Sequence, residues 1–286
     1  MKKSVRLVLS MISLSMLVIP LCSQAAERPD PYYSRKGISD NIMITAGFYM
    51  PSLSTNVRVD SSYLGQGTDI GFENMLDMDS SVMVLRADGH LRFCDWLSLQ
   101  LGYYNISRST TTTLNENIQY GNKTYSVNAD VTGLFATEVI KAALAFSLIN
   151  DGNVEFGFSV GGNIIFLEAS LTSYIGEVSE DVDEIAPLPL GGLFANFTIM
   201  PGLFLKGTFE YFSLTIEDID GTALDCRAVL EYYPIGNIGI GAGVNLFDVN
   251  VGMKNIEVSE NGIHDTLSGK FDYTTTGFVA YVSVVF

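Results

Sequence analysis

Beyond residue 40, apolar side chains recur at every second position, the spacing of strands rather than helices. From Val82 to Phe93 one parity holds Met83, Leu85, Ala87, Gly89, Leu91 and Phe93, and the other carries Arg86, Asp88, His90 and Arg92. Successive strand side chains point to opposite faces, so this segment has an apolar face and a face of ionisable groups. The same alternation sets Val154, Phe156, Phe158 and Val160 against Glu155, Gly157 and Ser159, and Leu203, Leu205 and Phe209 against Lys206 and Glu210. It sets Leu224, Cys226, Ala228 and Leu230 against Asp225, Arg227 and Glu231, and Ile140, Ala142, Leu144 and Phe146 against Lys141. In a soluble sandwich the apolar face would be the core; in a membrane barrel it meets lipid and the charged face meets the lumen. Length favours the barrel, because these segments match the roughly 9–11 residues of a tilted membrane strand rather than the usual soluble strand of about 5–6.

Turn chemistry at Cys94-Asp95-Trp96, Asn150-Asp151-Gly152-Asn153, Met200-Pro201-Gly202 and Pro234-Ile235-Gly236-Asn237 marks short connections. Longer polar stretches lie around 60–80, 115–128, 173–186 and 255–268, and Asp220-Gly221 reads as a tight turn. The resulting strands are 41–59, 79–93, 97–114, 129–149, 153–172, 187–200, 203–219, 222–233, 237–254 and 269–286. The expected fold is therefore all-β: a closed antiparallel transmembrane β-barrel of about ten strands, or eight or twelve if weak segments merge or split. Two segments are weak: 129–149 carries Glu138 on the lipid parity, and 187–200 follows Ala186 with Pro187 and Pro189, which cannot donate to a ladder. Short turns and both chain ends belong on the periplasmic side, which places the longer connections outside the cell.

The first residues read as an export signal. Lys2, Lys3 and Arg6 precede an apolar run from Leu7 to Leu21, and Ser23-Gln24-Ala25 supplies small residues for cleavage before Ala26. The domains are then a secretory signal peptide at 1–25, a periplasmic N-terminal segment at 26–40 and the barrel at 41–286. Loss of three basic residues leaves 13 against 32 acidic ones, a formal charge of −19 for the mature chain. That balance argues against nucleic acid, whose phosphates need a basic surface. Three cysteines and two histidines show no metal-ligand spacing, so neither cofactor nor transition metal is expected.

The chain ends with Phe278, Ala280, Val282, Val284 and Phe286 on alternate positions. Here the sequence resembles Gram-negative outer-membrane β-barrel proteins, whose last strand ends in phenylalanine after alternate apolar residues. The resemblance implies that Phe278, Val282, Val284 and Phe286 form the signal read by the barrel-assembly machinery. Through Phe48-Tyr49-Met50-Pro51-Ser52-Leu53, Val57-Arg58-Val59-Asp60-Ser61 and Gly243-Val244-Asn245-Leu246-Phe247 the chain also resembles an uncharacterised family of small proteobacterial outer-membrane barrels. That family implies location and architecture but no activity.

On the inner parity, Arg86, Arg92, Lys141, Lys206 and Arg227 face Asp88, Glu155, Glu210, Asp225 and Glu231, with His90 among them. Equal numbers of opposite charges suit a network that fills and stiffens a narrow lumen; alternatively the same groups line a selective pore for ions or small solutes. The remaining negative charge falls in the outer connections: Asp60, Asp69, Glu73, Asp77 and Asp79; Glu177, Glu180, Asp181, Asp183 and Glu184; Glu217, Asp218 and Asp220; Glu257, Glu260 and Asp265. These form a solvated rim and candidate ligands for divalent cations, alone or shared with lipopolysaccharide phosphates. His264, Asp265, Asp218 and Asp220 are the nearest ingredients for an outer-membrane protease, without a matching motif, and no enzymatic function is expected. Cys94 belongs to a turn and Cys226 to the lipid face, so no bond between them is expected. The overall expectation is a monomeric outer-membrane barrel in contact with lipid and lipopolysaccharide, with a structural or surface-presenting role and at most narrow permeation.

Overall fold

A computed structural model describes residues 42–60, 65–120, 123–173, 178–216, 219–235, 237–260 and 263–286, without the side chains of 174–186, 216–219 and 253–267. The expected signal peptide and N-terminal segment lie outside it. In chain order the elements are β1 (Ile42–Asp60), β2 (Ile70–Gly71), α1 (Phe72–Met75), β3 (Val84–Cys94), β4 (Leu97–Thr113), β5 (Ile118–Tyr120), β6 (Lys123–Tyr125) and β7 (Asp130–Asn150). They continue with β8 (Val154–Ser173), β9 (Val178–Met200), β10 (Leu203–Ile216), β11 (Ile219–Ile235), β12 (Ile238–Glu260) and β13 (Ile263–Val285).

These strands make one large antiparallel sheet whose order follows the sequence from β13 back through β7, β4, β3 and β1, with β13 bonded again to β1. The closing ladder runs from Met43 opposite Val285 to Asp60 opposite Ser268. Beyond it Phe286 N–H donates to the Ile42 carbonyl at 2.9 Å. Ten strands thus form a barrel-like ring, and β2, β5 and β6 are accessory. Short turns and both described chain ends gather at one end, called the near end; the long connections gather at the far end. Gly202, with φ of +81°, adopts the left-handed backbone that a near-end turn requires.

The apolar parity does not keep to one face. On β1 the outward residues Ile42, Ile44, Phe48 and Met50 give way to Ser52, Ser54 and Asn56, while inward Thr45 gives way to buried Tyr49, Leu53 and Val57. On β4 outward Leu101 and Tyr103 are followed by Asn105, Ser107, Ser109 and Thr111, as Tyr104 and Ile106 turn inward. On β7, read toward the near end, inward Val131, Phe135 and Val139 precede Lys141. The near half of the ring is therefore apolar outside and charged inside, and the far half is polar outside and apolar inside. Leu85, 71% exposed, and Phe278 and Phe286, each 66%, belong to the outward near-half band. At its near edge Trp96 stacks on Phe146 at 6.2 Å, and Phe146 on Phe158 at 5.0 Å.

The expected connection 255–268 is largely ladder, with β12 running to Glu260 and β13 starting at Ile263; three further boundaries shift, each for a backbone reason. β3 begins at Val84 rather than 79, because the preceding residues leave the ladder and meet β1 only through a Ser52–Ser81 bridge. Asp220 and Gly221 are strand residues of β11 opposite Thr215 and Leu214, not a turn. β9 begins at Val178 instead of 187: it pairs with β8 from Val178 to Phe197, including Pro187 opposite Ile164 and Pro189 opposite Gly162, but with β10 only between Gly191 and Met200. Proline is tolerated there because one edge of that stretch has no partner strand to receive a donor. A seam between β9 and β10 results.

Candidate functional site

The interior holds three stacked zones. At the far end, Ile70, Phe72, Leu76 and Met78 fold inward from the segment after β1 and pack against Leu53, Ile106 and Phe135 from the wall. Phe72 and Phe135 meet edge-on at 5.5 Å, and Phe135 lies 5.6 Å from Tyr273. The β5–β6 hairpin adds buried Ile118, Tyr120 and Tyr125. This core was missed in the sequence because the stretches 60–80 and 115–128 were read as polar loops. Its signal was the change of apolar parity after Met50 and after Tyr103.

One ion pair is embedded there. Arg108 donates through Nη1 to Glu73 Oε1 at 2.6 Å and to the Asp79 carbonyl at 2.8 Å, and through Nη2 to Thr55 Oγ1 at 2.8 Å. Glu73 Oε2 accepts the Thr55 N–H at 2.8 Å, so one carboxylate ties the inward segment to both β1 and β4. Glu73 is thus an internal partner rather than part of an acidic rim, a correction forced by the inward course of the chain. Asp60 is also engaged, by Arg58 at 3.0 Å and the Gly67 N–H at 2.9 Å. The other acidic residues expected at the far end divide between exposed positions such as Asp69, Asp77, Asp79 and Asp220 and side chains outside the described set. Among the described residues no cluster of three or more potential metal ligands is present. Glu177, Asp218, His264 and Asp265 lie outside the described side chains.

The middle zone is ionic, and it brings the ten charged residues singled out from inner parity into pairs. Asp88 binds Arg86 at 3.0 Å and Arg227 at 2.9 Å. Arg86 Nη1 donates to Asn245 Oδ1 at 2.5 Å, and Asn245 Nδ2 donates to Asp225 Oδ1 at 2.9 Å. Lys141 pairs with Glu210 and, at 3.4 Å, with Asp225. Lower down, Glu231 accepts from Lys206 at 2.6 Å, Tyr233 Oη at 2.7 Å and Tyr281 Oη at 2.8 Å. Gly241 makes room for the last contact: a Cβ there would stand 2.2 Å from the Tyr281 ring. Glu155 accepts from Arg92 at 2.8 Å, Ser147 at 2.6 Å and Asn196 at 3.0 Å. Between these groups lies a cavity of about 140 Å³. His90 lines it, and its imidazole, like the Gln100 amide opposite on β4, has no hydrogen-bond partner among the described residues.

At the near end the inner parity is apolar once more: Phe204, Tyr233 and Val285 are buried together with Met43 packed on them. Asp151 caps the adjoining turn, accepting the Val154 N–H at 2.8 Å and the Asn153 N–H at 2.9 Å. Those bonds hold its carboxyl below the usual range. Phe278, Val282 and Phe286 face outward and are exposed, and Val284 shares their parity at intermediate exposure. Cys226 is a free thiol on that outward parity, so it has no bond to Cys94.

Chemically, the middle zone is a set of paired charges in which every carboxylate oxygen accepts at least one donor. Removing one partner of such a buried pair typically costs about 3–5 kcal/mol, while the intact pair adds little net stability. Its consequence is fixed geometry.

No family model matches the chain, and no curated protein matches its sequence. Among solved structures, the chain is similar to the outer membrane protease OmpT from Escherichia coli, with 12% identity, a TM-score of 0.47, and coverage of 85% of this chain and 97% of that one. It is similar to the translocator domain of the autotransporter NalP from Neisseria meningitidis at 9% identity and a TM-score of 0.43, covering 98% and 97%. For the outer membrane protein OprG from Pseudomonas aeruginosa the values are 10%, 0.35, 88% and 99%.

Proposed function

We propose that this chain is an integral outer-membrane barrel, closed to free permeation, that carries a rigid extension above the outer leaflet. The observation that supports this most is the exchange of apolar and polar faces midway along the strands. An outward band such as Ile42–Met50 has the length of one tilted membrane crossing. The ten residues Pro51–Asp60 continue for about 25 Å at the usual rise and tilt, polar on their outward parity. Periplasmic placement of the short turns sends this extension outward from the cell.

On this reading the role is structural or surface-presenting rather than catalytic. The lumen is occupied twice, by the far apolar core and by the paired charges, and every carboxylate of the middle zone is held by a cation or neutral donors of the wall. Lipid and lipopolysaccharide surround the chain, the final strand serves as the assembly signal, and the barrel works as a monomer. The outer acidic residues remain candidate sites for divalent cations, tested by whether calcium alters stability of the folded protein.

Planar-bilayer recording of the folded mature protein tests closure. Silence from protein shown to be inserted is the expected result. Steady conductance whose ion selectivity changes in an Arg86→Ala/Arg92→Ala variant would establish the selective-channel alternative instead.

A further inference from the structure

We propose that the cavity between the ion pairs binds a small monovalent inorganic anion, a halide or one of similar size. Formal charge does not select this ligand, because the cations and carboxylates around the cavity are balanced. Unspent hydrogen-bonding capacity does. Both oxygens of Glu231 are engaged, by Lys206, Tyr233 and Tyr281, and both oxygens of Asp88, by Arg86 and Arg227. Glu155 likewise accepts three donors on its two oxygens.

The cations are less fully used. Arg227 reaches Asp88 through Nη1, and its buried Nε has no partner among the described residues. Lys206 spends one charged contact on Glu231, and its other contact is the Met43 sulfur at 3.5 Å, a weak acceptor. His90 and Gln100 face each other across β3 and β4 and bring an imidazole and an amide without a hydrogen bond to the described residues. Donors therefore converge from β3 and β4, β10 and β11, whereas every oxygen of the lining carboxylates Asp88, Glu155, Asp225 and Glu231 already accepts at least one donor. An entering cation would meet Lys206 and Arg227; an anion would complete them. A cavity of about 140 Å³ has room for several water molecules, and so for a partly hydrated monovalent ion.

Bromide is the probe. Crystals of the mature protein grown in sodium bromide should show an anomalous peak within hydrogen-bond reach of Lys206 Nζ. In solution, replacing gluconate by bromide at constant ionic strength should raise the unfolding midpoint saturably. Thr208→Phe fills the cavity from β10 without removing a member of an ion pair and should abolish both signals. If that variant fails to fold, Gln100→Leu should weaken half-saturation by about tenfold, the equivalent of one hydrogen bond. Peaks at the surface alone, a cavity holding only water, a midpoint rise that survives Thr208→Phe, or unchanged half-saturation in Gln100→Leu would each overturn the proposal.

Discussion

Replacing Glu73 by leucine would leave the Arg108 guanidinium inside an apolar core without its counter-charge. The Arg108 side chain is only 2% exposed, and its ring neighbour Phe135 lies 5.3 Å from the guanidinium carbon. The Asp79 carbonyl and Thr55 hydroxyl would still accept from it, but neither carries the neutralising charge. A broken buried pair of this kind costs about 3–5 kcal/mol. The reverse change, Arg108→Met, leaves a carboxylate that is 11% exposed and retains the Thr55 N–H, so its loss should be smaller, about 1–3 kcal/mol. With both replaced, no charge remains buried in the far core and stability should return to within about 2 kcal/mol of the wild type, the remaining loss being the unpaired Thr55 N–H and Asp79 carbonyl. The two single losses must therefore fail to add, with a coupling of at least about 2 kcal/mol. Denaturant unfolding of the folded protein measures this, followed by emission of its one tryptophan, Trp96. Additive losses would refute the claim that this pair seats the inward segment as a unit.

Position along a strand should decide the effect of an outward charge: Val244→Arg should cost about 2–4 kcal/mol and Ser54→Arg close to nothing, read by unfolding in lipid. Equal penalties would remove the basis for placing the membrane around the near half. Hydrogen exchange should be faster over 178–190 than over 191–197, because only the latter stretch is bonded on both edges; equal protection would mean that the β9–β10 seam closes. Deleting Phe286 removes the last backbone rung to Ile42 and should slow assembly of the folded form, measured by the yield of protease-resistant protein over time. Asp151 has a lowered folded pKa, so its contribution is present above the unfolded carboxylate value and disappears as pH falls through the folded one. Asp151→Ala should therefore destabilise the protein at neutral pH and make no difference at strongly acidic pH, as judged by unfolding midpoints.

Period-two alternation carried the ring far because it is a property of the backbone. Each strand must send neighbouring side chains to opposite faces, so Arg86, Asp88, Arg227 and their partners had to share one side once the strands were placed. Which acid would meet which base was not legible, since Asp88 to Arg227 and Lys141 to Glu210 are contacts across the lumen that no local spacing encodes. Prolines 187 and 189 are poor ladder donors, yet they lie inside β9 and not at its end, because an edge with only one neighbour tolerates them. The Glu73–Arg108 pair is hidden for a different reason, with Glu73 reading from the sequence as one acid of a solvated rim: a loop can be polar in composition and still send Ile70, Phe72, Leu76 and Met78 inward.

The exchange of faces explains why one parity assignment per strand was insufficient. A side chain's proper environment depends on its direction and on the solvent outside the wall at its height. Where the exterior is lipid, an outward Phe48 or Leu85 needs no further cover and the enclosed lumen can hold charges that pair. Where the exterior is water, the same wall must bury its apolar residues inward, and a ring of ten strands leaves a space too wide for wall side chains alone to fill. The chain supplies the missing volume from its own far-end connections. On the proposed placement, the inward segment and the β5–β6 hairpin are consequences of extending a lipid-facing barrel into water, and a lumen closed to permeation would follow from that extension without a dedicated gate.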